Sequence, residues 1–333
     1  MINFSQYIQT IDSHTMGEPT RIITGGAPRI LGTTMMEKKQ YLESKLDWLR
    51  KLLMNEPRGH KDMFGAIITE PCSEECDIGV IFMDSNGYLN MCGHGTIGTI
   101  TTALNIGMIE AKRNIKVDTP AGIVRCEVEF KNNKVNQVTF TNVPAFVLEE
   151  KVNVHVEGIG NVLVDVAFGG SIFGIVNAEQ FGLKLVSEEQ QQLIDLGNKI
   201  KRAANEQFKF QHPLKPEINS IDLIEFSLKS TKNDVDYRNA VIFGNGQIDR
   251  SPCGTGTCAK MAVHYKNRKM NIGDKFVHES IIDSQFTGRV AGVSQVGDYP
   301  AIIPQITGSA WITGMHQFII DNEDPYHEGF LLL

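Results

Sequence analysis

The chain has no run of about twenty consecutive apolar residues, the length a membrane-spanning helix requires. Its opening residues, MINFSQYIQTIDSH, have neither the basic start nor the apolar stretch of a secretion signal. Basic residues never cluster: 32 Lys and Arg against 39 Asp and Glu give a formal net charge of -7, which offers nothing to grip nucleic acid or an anionic membrane. No C-x-x-C pair, no G-x-x-x-x-G-K-[ST] loop and no full G-x-G-x-x-G strand–helix unit occurs, so the usual dithiol and nucleotide signatures are missing. Cysteine is sparse, with six residues at 72, 76, 92, 126, 253 and 258. In a chain of this length without a secretion signal, reduced thiols are expected rather than a disulfide framework. What remains is the composition of a soluble, cytoplasmic globular protein, 41% hydrophobic and 21% charged over 333 residues, long enough for two domains.

Against this background one pattern stands out. Residues 80–96, VIFMDSNGYLNMCGHGT, align without a gap on residues 241–257, VIFGNGQIDRSPCGTGT. Seven of the 17 positions are identical: Val80/Val241, Ile81/Ile242, Phe82/Phe243, Cys92/Cys253, Gly93/Gly254, Gly95/Gly256 and Thr96/Thr257. The offset of 161 residues is close to half the chain, as a duplicated half-chain predicts. Each copy reads as a short apolar strand, a turn, and a mostly apolar helix beginning at the cysteine and its glycines. Upstream, residues 34–54 space Leu42, Leu46, Leu49 and Leu53 as one amphipathic helix, with Thr34 and Glu37 as a capping box. Residues 187–208 repeat the idea, with Ser187 and Gln190 as the expected cap.

Both cysteines are thus expected at helix N-termini. Such a terminus carries unpaired N–H groups and roughly half a positive charge. It should lower a thiol pKa from about 8.5 towards neutrality and can hold a carboxylate without any arginine. Two such motifs facing one α-carbon would let one thiolate remove its proton while the other thiol returns one to the opposite face. A lone cysteine is usually a small buried hydrophobe. Two that keep matching places in diverged halves point instead to stereoinversion, which needs no cofactor and no metal.

The motifs Met91-Cys92-Gly93-His94-Gly95-Thr96-Ile97-Gly98 and Asp249-Arg250-Ser251-Pro252-Cys253-Gly254-Thr255-Gly256-Thr257 closely resemble those of the proline racemase family. So do Asp12-Ser13-His14-Thr15-Met16-Gly17-Glu18, Glu56-Pro57-Arg58-Gly59-His60, Phe168-Gly169-Gly170 and Ile306-Thr307-Gly308-Ser309-Ala310, so the likeness covers nearly the whole chain. The resemblance implies an α/β (α+β) fold of two pseudo-symmetric domains, each a curved mixed sheet around a central helix, as in diaminopimelate epimerase. On that scheme residues 1–145 with 300–333 carry Cys92, residues 146–299 carry Cys253, the active site lies in the interdomain cleft, and homodimers are usual. Cys92 and Cys253 match the catalytic thiols, and the N–H groups of Gly93, His94, Gly254 and Thr255 match the carboxylate cradle. The His94 and Asp249 side chains match the groups that hold the ring nitrogen; a buried ammonium without such a partner would be costly. Three activities occur in the family. Dehydratases of trans-3-hydroxyproline usually replace the first cysteine with Ser or Thr, which Cys92 argues against. Epimerases of 4-hydroxyproline tend to have small or polar residues where Phe64 and Phe243 stand here, and an apolar wall suits an unsubstituted proline ring.

Other features carry less. Cys72 and Cys76 with His60 lack the second ligand pair of a zinc site. Cys258, five residues past Cys253, is rotated by about 500° along a helix and is expected to pack. His14, His60 and His264 have no triad partners in the sequence, and Gly244-Asn245-Gly246 is no nucleotide fingerprint. A thiol redox protein, or an amino-acid-binding module without turnover, is the rival from another class; the missing C-x-x-C weighs against the first.

Overall fold

The computed structural model describes residues 6–244 and 246–332, so Asn245 of the second motif copy lies outside the described residues. The chain divides into two compact units, Met1–Phe140 with Ser309–Leu333, and Thr141–Gly308.

In the first unit, β1 (Gln6–Thr15) and β2 (Glu18–Gly25) form a hairpin, followed by α1 (Met35–Lys45), α2 (Asp47–Met54), β3 (Phe64–Thr69), β4 (Ile78–Asp84), β5 (Tyr88–Leu89), α3 (Gly93–Asn105), β6 (Asn114–Thr119), β7 (Gly122–Lys131) and β8 (Lys134–Thr141). The second unit continues with β9 (Ala145–Val156), β10 (Gly160–Phe168), β11 (Ile172–Asn177), α4 (Gln190–Gln207), β12 (Leu223–Lys229), β13 (Tyr237–Phe243), β14 (Gln247–Ile248), α5 (Gly254–Lys266), β15 (Lys275–Glu279), β16 (Gln285–Val296) and β17 (Tyr299–Gly308). The chain then returns to the first unit as β18 (Ala310–Ile320), antiparallel to β1.

The two sheets repeat one another pairing by pairing. In the first, β2 runs parallel to β3 and β4 parallel to β6, while β18–β1, β1–β2, β3–β4 and β6–β7 are antiparallel. In the second, β11 runs parallel to β12 and β13 parallel to β15, while β9–β10, β10–β11, β12–β13 and β15–β16 are antiparallel. There β17 pairs with both β16 and β9, which closes the sheet on itself. The fold is therefore mixed α/β, in two pseudo-symmetric copies.

Each sheet wraps one nearly all-buried helix, α3 or α5. Small residues make this possible: α3 is GHGTIGTITTALN, and its Gly98 sits over the hydroxyls of Ser13, Thr15 and Thr20, which would lie 3.0–3.3 Å from a Cβ there. The opposite face of each sheet takes an amphipathic cover. On α4 the buried residues Leu193, Ile194, Leu196, Gly197, Ile200 and Ala204 follow the helical period. In the first unit Leu42, Leu49, Leu52 and Leu53 do the same work, each fully buried and each contributing about 1.5–3 kcal/mol of apolar burial. With helices on both faces, all seven residues of β4 are buried.

Two local expectations need correction. Residues 34–54 are two helices, not one; the chain breaks at Leu46 (φ -130°, ψ 20°), which aims the leucines of α1 and α2 separately into the core. Thr34 caps α1 as expected, accepting from Glu37 N at 3.1 Å, and the Glu37 carboxylate takes the Thr33 N–H at 2.8 Å as well as the Thr34 N–H. Ser187 caps nothing. It opens a 3₁₀ turn, and the Glu189 carboxylate instead accepts from the Lys184 and Leu185 amides at 2.9 and 2.8 Å.

Candidate active site

In the first unit, Cys92 is the N-cap of α3: its Sγ accepts the Gly95 N–H at 3.3 Å, and its carbonyl accepts from Thr96 N at 3.0 Å and from Thr96 Oγ1 at 2.7 Å. The amides of Gly93 and His94 precede the first helical hydrogen bond and have no acceptor within the helix. The His94 Nδ1 lies 3.3 Å from the Cys92 Sγ. Burial holds the His94 pKa down to about 3, against the pull of the Pro19 carbonyl to which its ring is hydrogen-bonded, so the imidazole is neutral at physiological pH. Phe64, at the start of β3, meets the His94 ring edge-on with centroids 4.4 Å apart. Thr15 Oγ1 donates to the His94 carbonyl at 2.8 Å. The hairpin of β1 and β2 thus fastens the first turn of α3.

In the second unit, Cys253 caps α5 in the same way, accepting from Gly256 N at 3.4 Å while its carbonyl takes Thr257 N at 2.8 Å. The Gly254 and Thr255 amides are the corresponding first-turn donors, and Thr255 Oγ1 lies 3.7 Å from the Cys253 Sγ. The backbones differ: Cys92 is extended, whereas Cys253 has φ 58°, an uncommon conformation for a side chain larger than Gly's. Asp249 reaches this cap through Ser251, whose N–H donates to Asp249 Oδ1 at 2.8 Å and whose Oγ accepts Cys253 N at 3.2 Å. The Cys253 thiol is also hydrogen-bonded to the Asp249 carboxyl. Burial raises Asp249 to about 6, despite these bonds.

The geometry overturns one expectation. A helix N-terminus alone should lower the Cys253 pKa, yet burial and the nearby Asp249 charge push it well above the usual thiol value, outweighing the Gly256 N–H. A base there must be made by something that removes the Asp249 charge or binds against it, and a cation held on the carboxylate would do the second.

Residues 10–331 match the family model described as proline racemase. The chain belongs to the proline racemase family. It is 48% identical to the proline racemase of Clostridioides difficile over 99% of this chain and 100% of that protein. It is 49% identical to the proline racemase of Acetoanaerobium sticklandii over 99% of each. Among solved structures, a hydroxyproline epimerase from Agrobacterium vitis with bound trans-4-hydroxy-L-proline superposes with a TM-score of 0.90 at 30% identity, covering 99% of this chain and 97% of that one. The chain is an isomerase of this family.

The family's remaining motifs now have physical jobs. His14 stacks on Trp311 at 5.3 Å and accepts the Gly17 N–H, which shapes the turn between β1 and β2. Arg58 of Glu56-Pro57-Arg58-Gly59-His60 pairs with Asp324 and fixes the C-terminal segment. Gly169 lies against the backbone of the first turn of α5. Phe243, half-buried at the end of β13, pairs in register with Gln247. Cys258 is fully buried and its thiol is pushed up to about 12, as packing requires. Cys72 and Cys76 are free thiols, and among the described residues no group of three His, Cys, Asp or Glu is placed to hold a metal. No helix among these residues is long and apolar enough to cross a membrane. The sequence reading missed Ser251 and Thr15; Ser251 was visible two residues from each of Asp249 and Cys253, the spacing of side-chain-to-backbone turns.

Proposed function

We propose that the chain is a cofactor-independent proline racemase in which Cys92 and Cys253 exchange the α-proton. The observation that carries this is the pair of cysteine N-caps, each with its own acid–base neighbour, at equivalent places in the two halves of a chain of this family. The substrate carboxylate is held by the Gly93, His94, Gly254 and Thr255 amides. The prolinium N–H₂⁺ is held by Asp249, and neutral His94 accepts from the same nitrogen. One thiolate takes the α-proton and the other thiol delivers one to the opposite face, leaving the thiols with exchanged protonation; the reverse reaction restores them. Phe64 and Phe243 line the ring side, and Cys92 itself argues against dehydration. The working form is proposed to be a cytoplasmic homodimer.

A second reading, 4-hydroxyproline 2-epimerase by the same chemistry, is favoured by the hydroxyproline in the Agrobacterium vitis protein. One experiment separates them. Purified protein is given L-proline or trans-4-hydroxy-L-proline, and optical rotation and α-deuterium uptake in D₂O are followed. An apolar wall strands a 4-hydroxyl at about 1–3 kcal/mol, so kcat/KM for proline should exceed that for hydroxyproline by about tenfold or more. Replacing either Cys92 or Cys253 with Ser should remove both signals, because a hydroxyl is far too weak a base. A preference for hydroxyproline would reverse the substrate assignment, and a Ser variant with half the parent rate would reject the two-thiol mechanism.

A further inference from the structure

The duplication is imperfect at one buried place, directly behind Cys253. Val80 and Val241 are equivalent by sequence, and they pair in register with Ile68 and Glu225 respectively. Glu225 is therefore the second-half counterpart of an isoleucine. The same comparison sets Asn239 against Ile78 and Lys260 against Thr99, both 161 positions apart. It sets His278, which pairs with Tyr237, against Ile115, in strands whose partners also correspond. Four apolar or small positions of the first unit are thus polar in the second, and they meet as a cluster.

The cluster's centre is the Glu225 carboxyl. It is wholly buried, and its one hydrogen-bonding neighbour among the described residues is the Asn239 side chain, set beyond normal hydrogen-bond geometry. A Cβ on Gly256 would stand 2.6 Å from Glu225 Oε2, so the carboxyl is seated against the residue whose N–H holds the Cys253 sulfur. In the first unit the equivalent glycine, Gly95, stands over the Phe82 ring, whose carbons would lie 2.9 Å from a Cβ. Other groups face Glu225 from each packed element. His278 Nε2 of β15 is 3.8 Å from Oε1, Lys260 comes from α5 with Asp165 of β10 acting on it in turn, and Asn239 comes from β13. His278 is fixed from its other side by Thr257 Oγ1 at 3.0 Å. Cys253 itself is faced by Asp249 and Glu225.

We propose that Glu225 is a positioning residue for Cys253, its carboxyl under the first turn of α5 adding to burial and Asp249 in making this thiol the stronger proton holder of the pair. This rests on the reading that the two thiols are the acid and base. Ionising Glu225 and ionising Cys253 place two negative charges on either side of one buried glycine, so each loss of a proton opposes the other. Lys260 favours the carboxylate and burial disfavours it; burial wins, which holds Glu225 up at about 8. The two half-sites are consequently unequal in the resting enzyme. Cys253 waits as the thiol with a carboxyl beneath its cap, whereas the equivalent glycine of the Cys92 cap stands over the Phe82 ring.

The test uses short pulses of iodoacetamide on the substrate-free protein from pH 6 to 11, with the alkylation of each cysteine read by peptide mass spectrometry. Only thiolates react, so the midpoint of each curve reports one thiol whatever its access. In the unmodified chain the Cys253 midpoint should lie above that of Cys92 by about one unit. Glu225→Gln should lower the Cys253 midpoint, by less than Asp249→Asn does, and leave Cys92 where it was, and Glu225→Leu should shift it in the same direction. An inverted order of midpoints in the parent, or a folded Gln or Leu variant with an unmoved Cys253 curve, overturns the proposal. Because no turnover is involved, the result stands apart from the choice of substrate. A racemase with unmoved midpoints sinks this inference alone, and moved midpoints in a protein inert to proline sink only the racemase reading.

Discussion

Asp249 illustrates how one side chain ties structure to a pH dependence. Burial raises its pKa to about 6 although the Ser251 amide and the Cys253 thiol both stabilise the charged form. Below that value the carboxyl is neutral and cannot neutralise a substrate ammonium; above it the carboxylate is present and the cation can be held. The acid limb of kcat/KM, which reports the free enzyme, should therefore fall tenfold per unit below about pH 6. Asp249→Asn should remove that limb and lower kcat/KM at neutral pH by at least about a hundredfold, since a buried charge partner is lost. A parent profile flat down to pH 5 would exclude Asp249 as the group that binds the nitrogen. His94, at about 3, contributes no limb in this range and acts as a neutral ring throughout.

At the level of elements, the placement of α5 depends on a residue with no side chain. A Cβ on Gly169 would stand 2.2 Å from the Thr255 carbonyl oxygen and 2.7 Å from Ala259 N, both backbone atoms that cannot turn aside. Gly169→Ala should therefore displace the first turn of α5, lowering stability by about 2 kcal/mol or more in urea melts and raising KM. Gly87→Ala, with nothing within 4 Å of the new methyl, is the control expected to change neither. Parent-like melting of Gly169→Ala would show that this contact positions nothing. The helices α3 and α5 were legible in the sequence because glycine, threonine and a capping cysteine recur at fixed spacing in both halves. The break at Leu46 was not, for no Gly or Pro marks it and it is the packing of both helices against β4 that it serves. The lost Ser187 cap shows the same limit, since the chain enters α4 through a 3₁₀ turn that no residue pattern marks. At the site, the thiol positions followed from the repeat, but the direction of the Cys253 shift required its burial and its distance from Asp249 to be known. Glu225 left only a faint signal, a single acid in the apolar strand LIEFSLK, and its role depends on strand register that no local pattern encodes.

For the molecule as a whole, the shifted groups oppose one another, and the sign of each fixes how stability varies with pH. Burial lowers His264 to about 3 and holds His278 well below the usual histidine value, so the folded state refuses protons that the unfolded chain accepts. Their contribution is complete above the unfolded value near 6.5 and is lost as pH falls below it. Burial raises Asp249 to about 6 and Glu225 to about 8, so their contribution is complete below the unfolded carboxylate values and is lost as pH rises through those folded values. From about pH 4.5 to 6 the two sets act in opposite directions and largely offset. By about pH 7.5 the histidines are mostly neutral in both states and Asp249 is ionised in both, which leaves Glu225 as the buried carboxyl still surrendering its proton. Tm at constant ionic strength should accordingly decline between about pH 7.5 and 8.5, and the decline should be shallower in Glu225→Gln, which carries no ionisable group there. A Tm that is level or rising over that interval in the parent chain, or a decline of equal slope in the Gln variant, would show that the carboxyl under α5 is already ionised at neutral pH.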